Sequence, residues 1–183
     1  MKTHKNILIG ILIIAIAVVF RIVQPIDNFA PIVAVTLFAG YLFNDYKKGL
    51  ILAMLASFIG DIVISYIHQY SLFHDTFVFV YGSYALIAFL GTKMSANKFS
   101  WGKLATYGLV SSLLFFVITN LGVFLMSNLY SKDLSGLVNC FVAAIPFYKY
   151  SFISDLLYIP VIFSVHQYIN SLSNSFSGAY IQK

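Results

Sequence analysis

GLILAMLASFIGDIVISYI, residues 49–67, is the stretch that decides the class of fold. It carries a single charge, Asp61. As a helix rising about 1.5 Å per residue it reaches about 28 Å. The hydrocarbon core of a bilayer is about 30 Å thick, so the run is long enough to cross it. In lipid such a segment has to be helical, because an open strand leaves backbone groups unpaired.

Outward from this run, five more apolar stretches have spanning character: residues 7–23, 29–43, 76–91, 104–126 and 152–168. The reading is all-α: an integral membrane bundle of six transmembrane helices forming one domain over residues 1–169. The stretches 29–43 and 76–91 are short, so they must stand upright or be shielded by neighbours. Residues 137–147 are apolar but end near Pro146, and they are too short to cross easily. They are expected as a structured or re-entrant loop between the fifth and sixth helices. No strand-like alternation argues for a barrel. Residues 170–183, rich in Ser, Asn and Gly, are expected as a flexible cytoplasmic tail.

Composition agrees with the spans. The chain has 183 residues, 60% hydrophobic and 9% charged, where a soluble domain carries about 25% charged residues. A soluble globular protein is thereby excluded. The net charge of +5 comes from lysines scattered over several loops, without a basic stripe, so no nucleic-acid partner is expected. A single cysteine, Cys140, excludes an internal disulfide and a multi-cysteine zinc site.

Lysine and arginine orient the bundle. With the N-terminus inside, Lys2, Lys5, Lys47, Lys48, Lys93, Lys98, Lys103 and Lys183 are cytoplasmic, and only Arg21, Lys132 and Lys149 lie outside. Eight against three favours both termini in the cytoplasm. Ala15-Ile16-Ala17 resembles a leader cleavage site, but the apolar run continues to Val23, so the first helix is expected to be retained.

On this topology the strong polar groups gather at one depth. Arg21, Asn28, Asp61, Asn120, Asn139 and Asp155 all fall toward the outer side. An ionisable group inside a bilayer costs about 2.5–3.5 kcal/mol on insertion scales, so it is usually kept for a site. Each residue also has a plainer reading. Arg21 can snorkel to lipid phosphates, and Asp61 can join helices by a hydrogen bond. Asp155 can favour the dipole in a helix's first turn. Cys140 can be a small packing residue, and His68 and His74 wet loop residues. The inner halves offer only small hydroxyls, such as Thr36, Ser111 and Ser112, which can bond their own helix. A conducting path needs polar groups along its length, whereas an outward-facing cup needs them at one end.

The strings Arg21-x-x-x-Pro25-x-x-Asn28-Phe29-x-Pro31 and Leu37-Phe38-Ala39-Gly40 carry a family resemblance. So do Phe116-x-x-x-Asn120-x-Gly122-Val123, Tyr130, Gly136-Leu137, Cys140, Ile145-Pro146-Phe147 and Asp155-Leu156. Together they resemble a family of small bacterial membrane proteins filed as transport proteins. That family is similar in layout to the substrate-binding S components of energy-coupling-factor vitamin transporters. The resemblance implies a bacterial inner-membrane protein that captures a small vitamin-like nutrient from outside. It implies substrate contacts from Arg21, Asn28, Asp61, Asn120, Tyr130, Asn139 and Asp155, with Tyr130 and Asn139 on a lid-like fifth loop.

It further implies docking to a membrane coupling protein and an ATPase pair. The docking surface of S components shows alanines four apart on the first helix. Here Ala15 and Ala17 are two apart, and the four-residue spacing occurs at Ala30 and Ala34. No GxxxxGK[ST], HExxH or GxSxG occurs, so neither an ATPase nor an enzyme of those classes is expected, and no cofactor or metal. The competing expectations are a membrane scaffold whose polar groups only join helices and, ranked behind it, a membrane-embedded enzyme of another class.

Overall fold

The computed structural model describes residues 8–9, 11–12, 15–16, 19–20, 22–23, 28–69, 71–95 and 99–181, the side chains of 172–181 excepted. Those described among residues 8–23 are helical. Five helices follow: α1 (Ile32–Phe43), α2 (Tyr46–His68), α3 (Phe77–Ser95), α4 (Trp101–Met126) and α5 (Leu134–Ile181). No strand occurs among the described residues.

The helix α1 is apolar on every side and lies at the centre. Every residue from Val33 to Gly40 is buried, and so is Leu42. A helix that is hydrophobic all round belongs inside. Its 12 residues reach only about 18 Å, and α2, α3, α4 and α5 all pack against it. Glycine sets how closely they come. A Cβ on Gly40 would sit 2.0 Å from the Ala88 carbonyl oxygen, and one on Gly91 would sit 2.1 Å from that of Leu37. A Cβ on Gly49 would sit 2.7 Å from the Gly40 Cα.

Among the described residues, four helices are long and apolar enough to cross a membrane. Their outward stripes are apolar too. Ile51, Leu55, Ile59, Ile62 and Tyr66 are exposed along α2, and Leu109, Leu113, Val117, Leu121 and Leu125 along α4. These positions recur every three or four residues, one face of a helix. An apolar exterior over a packed interior is the build of a multi-pass membrane protein.

The α1–α2 turn and the α3–α4 junction share one end of the bundle. Tyr46 meets Phe89 at 5.9 Å and Tyr41 meets Phe99 at 6.2 Å between ring centroids. Lys47, Lys48, Lys93 and Lys103 cluster toward this end. The α2–α3 loop and the α4–α5 turn lie at the other. Helix α5 runs antiparallel to α4, with Cys140 against Asn120, Tyr148 against Ser112, Ile159 beside Gly108 and Phe163 over Phe99.

Local caps start these helices. The Asp45 carboxylate accepts from the Lys47 and Lys48 amides at 3.0 and 3.4 Å. The Asp133 carboxylate accepts from the Gly136 amide at 2.7 Å and the Ser131 hydroxyl at 2.9 Å. A side-chain and backbone hydrogen bond from Lys48 holds the Asp45 carboxyl below its ordinary 3.8. The Gly136 amide does the same for Asp133. At the far end of α4, the Lys132 ammonium donates to the Phe124, Leu125 and Ser127 carbonyls, satisfying acceptors that a helix end leaves open.

Four expectations change. Residues 137–147 are not a loop or re-entrant element but part of α5, which starts at Leu134 and is continuous with the expected sixth helix. Pro146 does not stop it, since packing on α4 carries the helix past the missing backbone donor. Phe116 contacts both Phe141 and Tyr148, one on either side of Pro146, at 5.6 and 4.4 Å. The same helix runs on to Ile181, through most of the stretch expected as a flexible tail. Asp155 lies deep inside α5, so the first-turn dipole reading no longer applies. The inner hydroxyls also differ: Thr106 bonds its own helix at 3.1 Å, but the Thr36 and Ser111 hydroxyls have no hydrogen-bond partner.

Candidate binding site

Two adjoining cavities open among the helices toward the end opposite Lys47 and Lys48. The first, about 300 Å³, is lined by Asn28, Asp61, His74, Tyr84, Phe115, Ser151 and Asp155, among others. The second, about 310 Å³, is lined by Asn28, Phe115, Asn120, Tyr130, Cys140, Tyr148 and Ser151, among others. Asn28, Phe115 and Ser151 belong to both. Of the residues singled out from sequence, Asn28, Asp61, Asn120, Tyr130 and Asp155 therefore converge. They come from the turn before α1, from α2, α4 and the α4–α5 turn, and from α5.

Asn28 stands at the junction. Its φ of 66° is left-handed, a conformation that asparagine tolerates better than most residues. Its backbone carbonyl accepts from the Ser151 hydroxyl at 3.1 Å, tying the turn to α5 across 123 positions of sequence.

Asp61 takes a 2.6 Å hydrogen bond from the Tyr81 hydroxyl on α3. Asn120 turns its amide nitrogen back to the Phe116 carbonyl of its own helix at 2.7 Å. The buried Cys140 thiol donates to the Asn120 backbone carbonyl at 3.5 Å. Asp155 is only 4% exposed, and its Oδ2 has no hydrogen-bond partner. Tyr84 and Phe115 stack across the first cavity at 5.7 Å with ring planes 9° apart.

Two residues do not join this group. Asn139 is exposed on the first turns of α5 and lines neither cavity. Arg21 lies outside the described residues. Of the two residues expected on a lid-like loop, Tyr130 lines the second cavity from the turn between Met126 and Leu134, and Asn139 does not.

The sequence reading passed over Ser151, Tyr81 and His74. Ser151 stands one residue before the apolar run 152–168, so it looked like a boundary. Tyr81 looked like one of many lipid-facing aromatics. His74 looked like a solvated loop residue, and it does bond Thr76 at 2.9 Å, but it also lines the first cavity. A pairing signal between positions 61 and 81 would have found the tyrosine. Among the described residues, no group of three or more His, Cys, Asp or Glu gathers as metal ligands.

The arrangement can present carboxylate, amide and hydroxyl groups to a small molecule over aromatic walls. By sequence, the chain belongs to a family of unknown function, DUF6580, matching it over residues 1–176. No curated protein and no solved structure matches it.

Proposed function

We propose that this protein is a substrate-binding membrane transport protein. On this reading it captures a small vitamin-like nutrient in an outward-facing cup, in the manner of the S components of energy-coupling-factor transporters. The observation that carries the reading is the convergence on two joined cavities of Asn28, Asp61, Asn120, Tyr130 and Asp155, from distant parts of the chain. A pocket of about 300–1,000 Å³ with a few converging polar groups is the usual form of a ligand site. The lysines toward the opposite end support an inside-facing surface there. In the full reading, the first expected span, residues 7–23, and the five helices make six spans of a bacterial inner membrane, with both termini cytoplasmic. Reorientation of the bundle releases the nutrient inside, alone or with a coupling protein and ATPase pair.

Thermal stability in detergent against a panel of vitamins and nucleobases tests this. A ligand at about 100 times its Kd adds about 2.7 kcal/mol. A shift with one compound, reduced in Asn28→Gly, supports capture. No shift from any compound in a folded, monodisperse sample overturns it.

A scaffold reading has its own observations. Asp61 is bonded to Tyr81 and Asn120 to its own helix, as groups that only hold helices together would be. It predicts that Asp61→Asn and Asn120→Ala lower abundance, and that no small molecule restores it.

A further inference from the structure

The wall of the first cavity holds a carboxyl that the fold answers only in part, with a hydrogen bond from the Ser112 side chain. Asp155 is nine-tenths or more buried, yet its Oδ2 has no hydrogen-bond partner. Buried polar groups are almost always paired, and an exception calls for an explanation. Asp61, in the same cavity, already takes the Tyr81 hydroxyl. Among the described lining residues there is no lysine or arginine in either cavity. The stacked pair Tyr84 and Phe115 adds aromatic surface, and ring faces attract cations.

We infer that Asp155 anchors a cationic ligand: a small organic ammonium, or an aromatic cation of vitamin size, seated between Asp155, Asp61 and the Tyr84–Phe115 rings. The inference rests on the capture reading and names the class of substrate. A cation bearing N–H groups supplies the missing donor to Oδ2 and cancels the buried charge in one contact. A neutral ligand supplies only the donor. An anion would face the Asp155 carboxylate. Asp155 also lines an apolar groove between α4 and α5, beside Ser112 and Pro160, so an amine headgroup of a lipid shares this chemistry. The soluble cation is favoured because Asn28, His74 and Ser151 surround the first cavity with polar atoms, whereas the groove is apolar.

The experiment uses the full chain in detergent, with probes matched in shape and different in charge. Pyridoxamine is set against pyridoxine, and tyramine against tyrosol and 4-hydroxyphenylacetate. The expected result is stabilisation by at least one cation and none by its neutral or anionic counterpart. In Asp155→Asn the Kd of that cation should rise about 30-fold or more, as when one partner of a buried charge pair is removed. Should that variant fail to fold, the selectivity of the unaltered protein within the pyridoxamine–pyridoxine pair decides the matter alone.

Equal binding of a neutral or anionic probe, unaffected by Asp155→Asn, overturns the inference and leaves capture standing. No response to any probe overturns both. Stabilisation only in nanodiscs containing phosphatidylethanolamine, with no soluble cation effective, reassigns the carboxylate to a lipid and overturns the inference.

Discussion

Around Gly40, Gly49 and Gly91 the helices of this bundle touch backbone to backbone; around Asn28 they leave two cavities of about 300 Å³ each. The close-packed region and the first cavity share α1, α2 and α3 and differ in side-chain size. Where the facing residues are Gly and Ala, a neighbouring backbone comes within van der Waals distance. Where they are Tyr84, Phe115 and Tyr148, rings hold the helices apart and carboxylates and amides occupy the rim. Small residues set the close packing, and large ones together with polar groups set the space that remains.

The close-packed region should break first. Gly40→Leu puts side-chain atoms where the Ala88 carbonyl already sits. It should cost more than about 3 kcal/mol, at or beyond the usual range for overpacking, with loss of the monodisperse peak on size exclusion. Gly82→Ala is the control. Nothing lies within 4 Å of a Cβ there, so stability should stay within about 0.5 kcal/mol.

The cavities should respond more gently. Tyr81→Phe removes the 2.6 Å bond to Asp61 and should cost about 1.5–3 kcal/mol, the usual worth of a hydrogen bond to a charged group. Chemical or thermal melts in detergent would read it. If the loss is below about 0.5 kcal/mol, solvent already reaches Asp61 and the cavity is wetter than the bond implies.

Asn28 separates backbone from side chain. Asn28→Ala must hold φ 66° without asparagine's local bonding, at a cost of about 1–2 kcal/mol. Asn28→Gly should hold it with little loss of stability. Ligand binding lost equally in both would mean that the amide side chain is what matters. Asn139→Ala, on an exposed position away from both cavities, should change neither stability nor binding.

The smallest effects belong to the helix starts. Asp45 and Asp133 both have depressed carboxyl pKa values. Their contribution is therefore fully present above the unfolded value near 3.8 and is lost as pH falls through the lower folded values. Hydrogen exchange at Lys47, Lys48 and Gly136 should accelerate relative to mid-helix amides as pH drops below about 4. Asp45→Ala should show the faster exchange at Lys47 and Lys48 at every pH, with only a small fall in Tm.

Much of this was legible in the chain. Helix α2 follows from 49–67 because a long apolar run in lipid has one solution for its backbone. The Lys47, Lys48, Lys93 and Lys103 end follows from charge alone. Asn28, Asp61, Asn120 and Asp155 stood out because polar groups in an apolar chain are rare, and the structure places all four at the cavities. Residues 137–147 misled because Pro146 and the polar Tyr148-Lys149-Tyr150-Ser151 read as an interruption. Contacts from Phe116, thirty positions away, carry α5 through it.

The sequence by itself therefore determined the membrane class and the helical backbone, and it marked the polar residues as exceptions in an apolar chain. Each depends on solvation, a local property of residue and surroundings. Only the tertiary structure decided that Tyr81 meets Asp61, that Ser151 meets Asn28, and that Asp155 is buried with an unfilled oxygen. These depend on which helix faces which. Hydropathy is the same on every side of a helix such as α1 and carries no record of its neighbours.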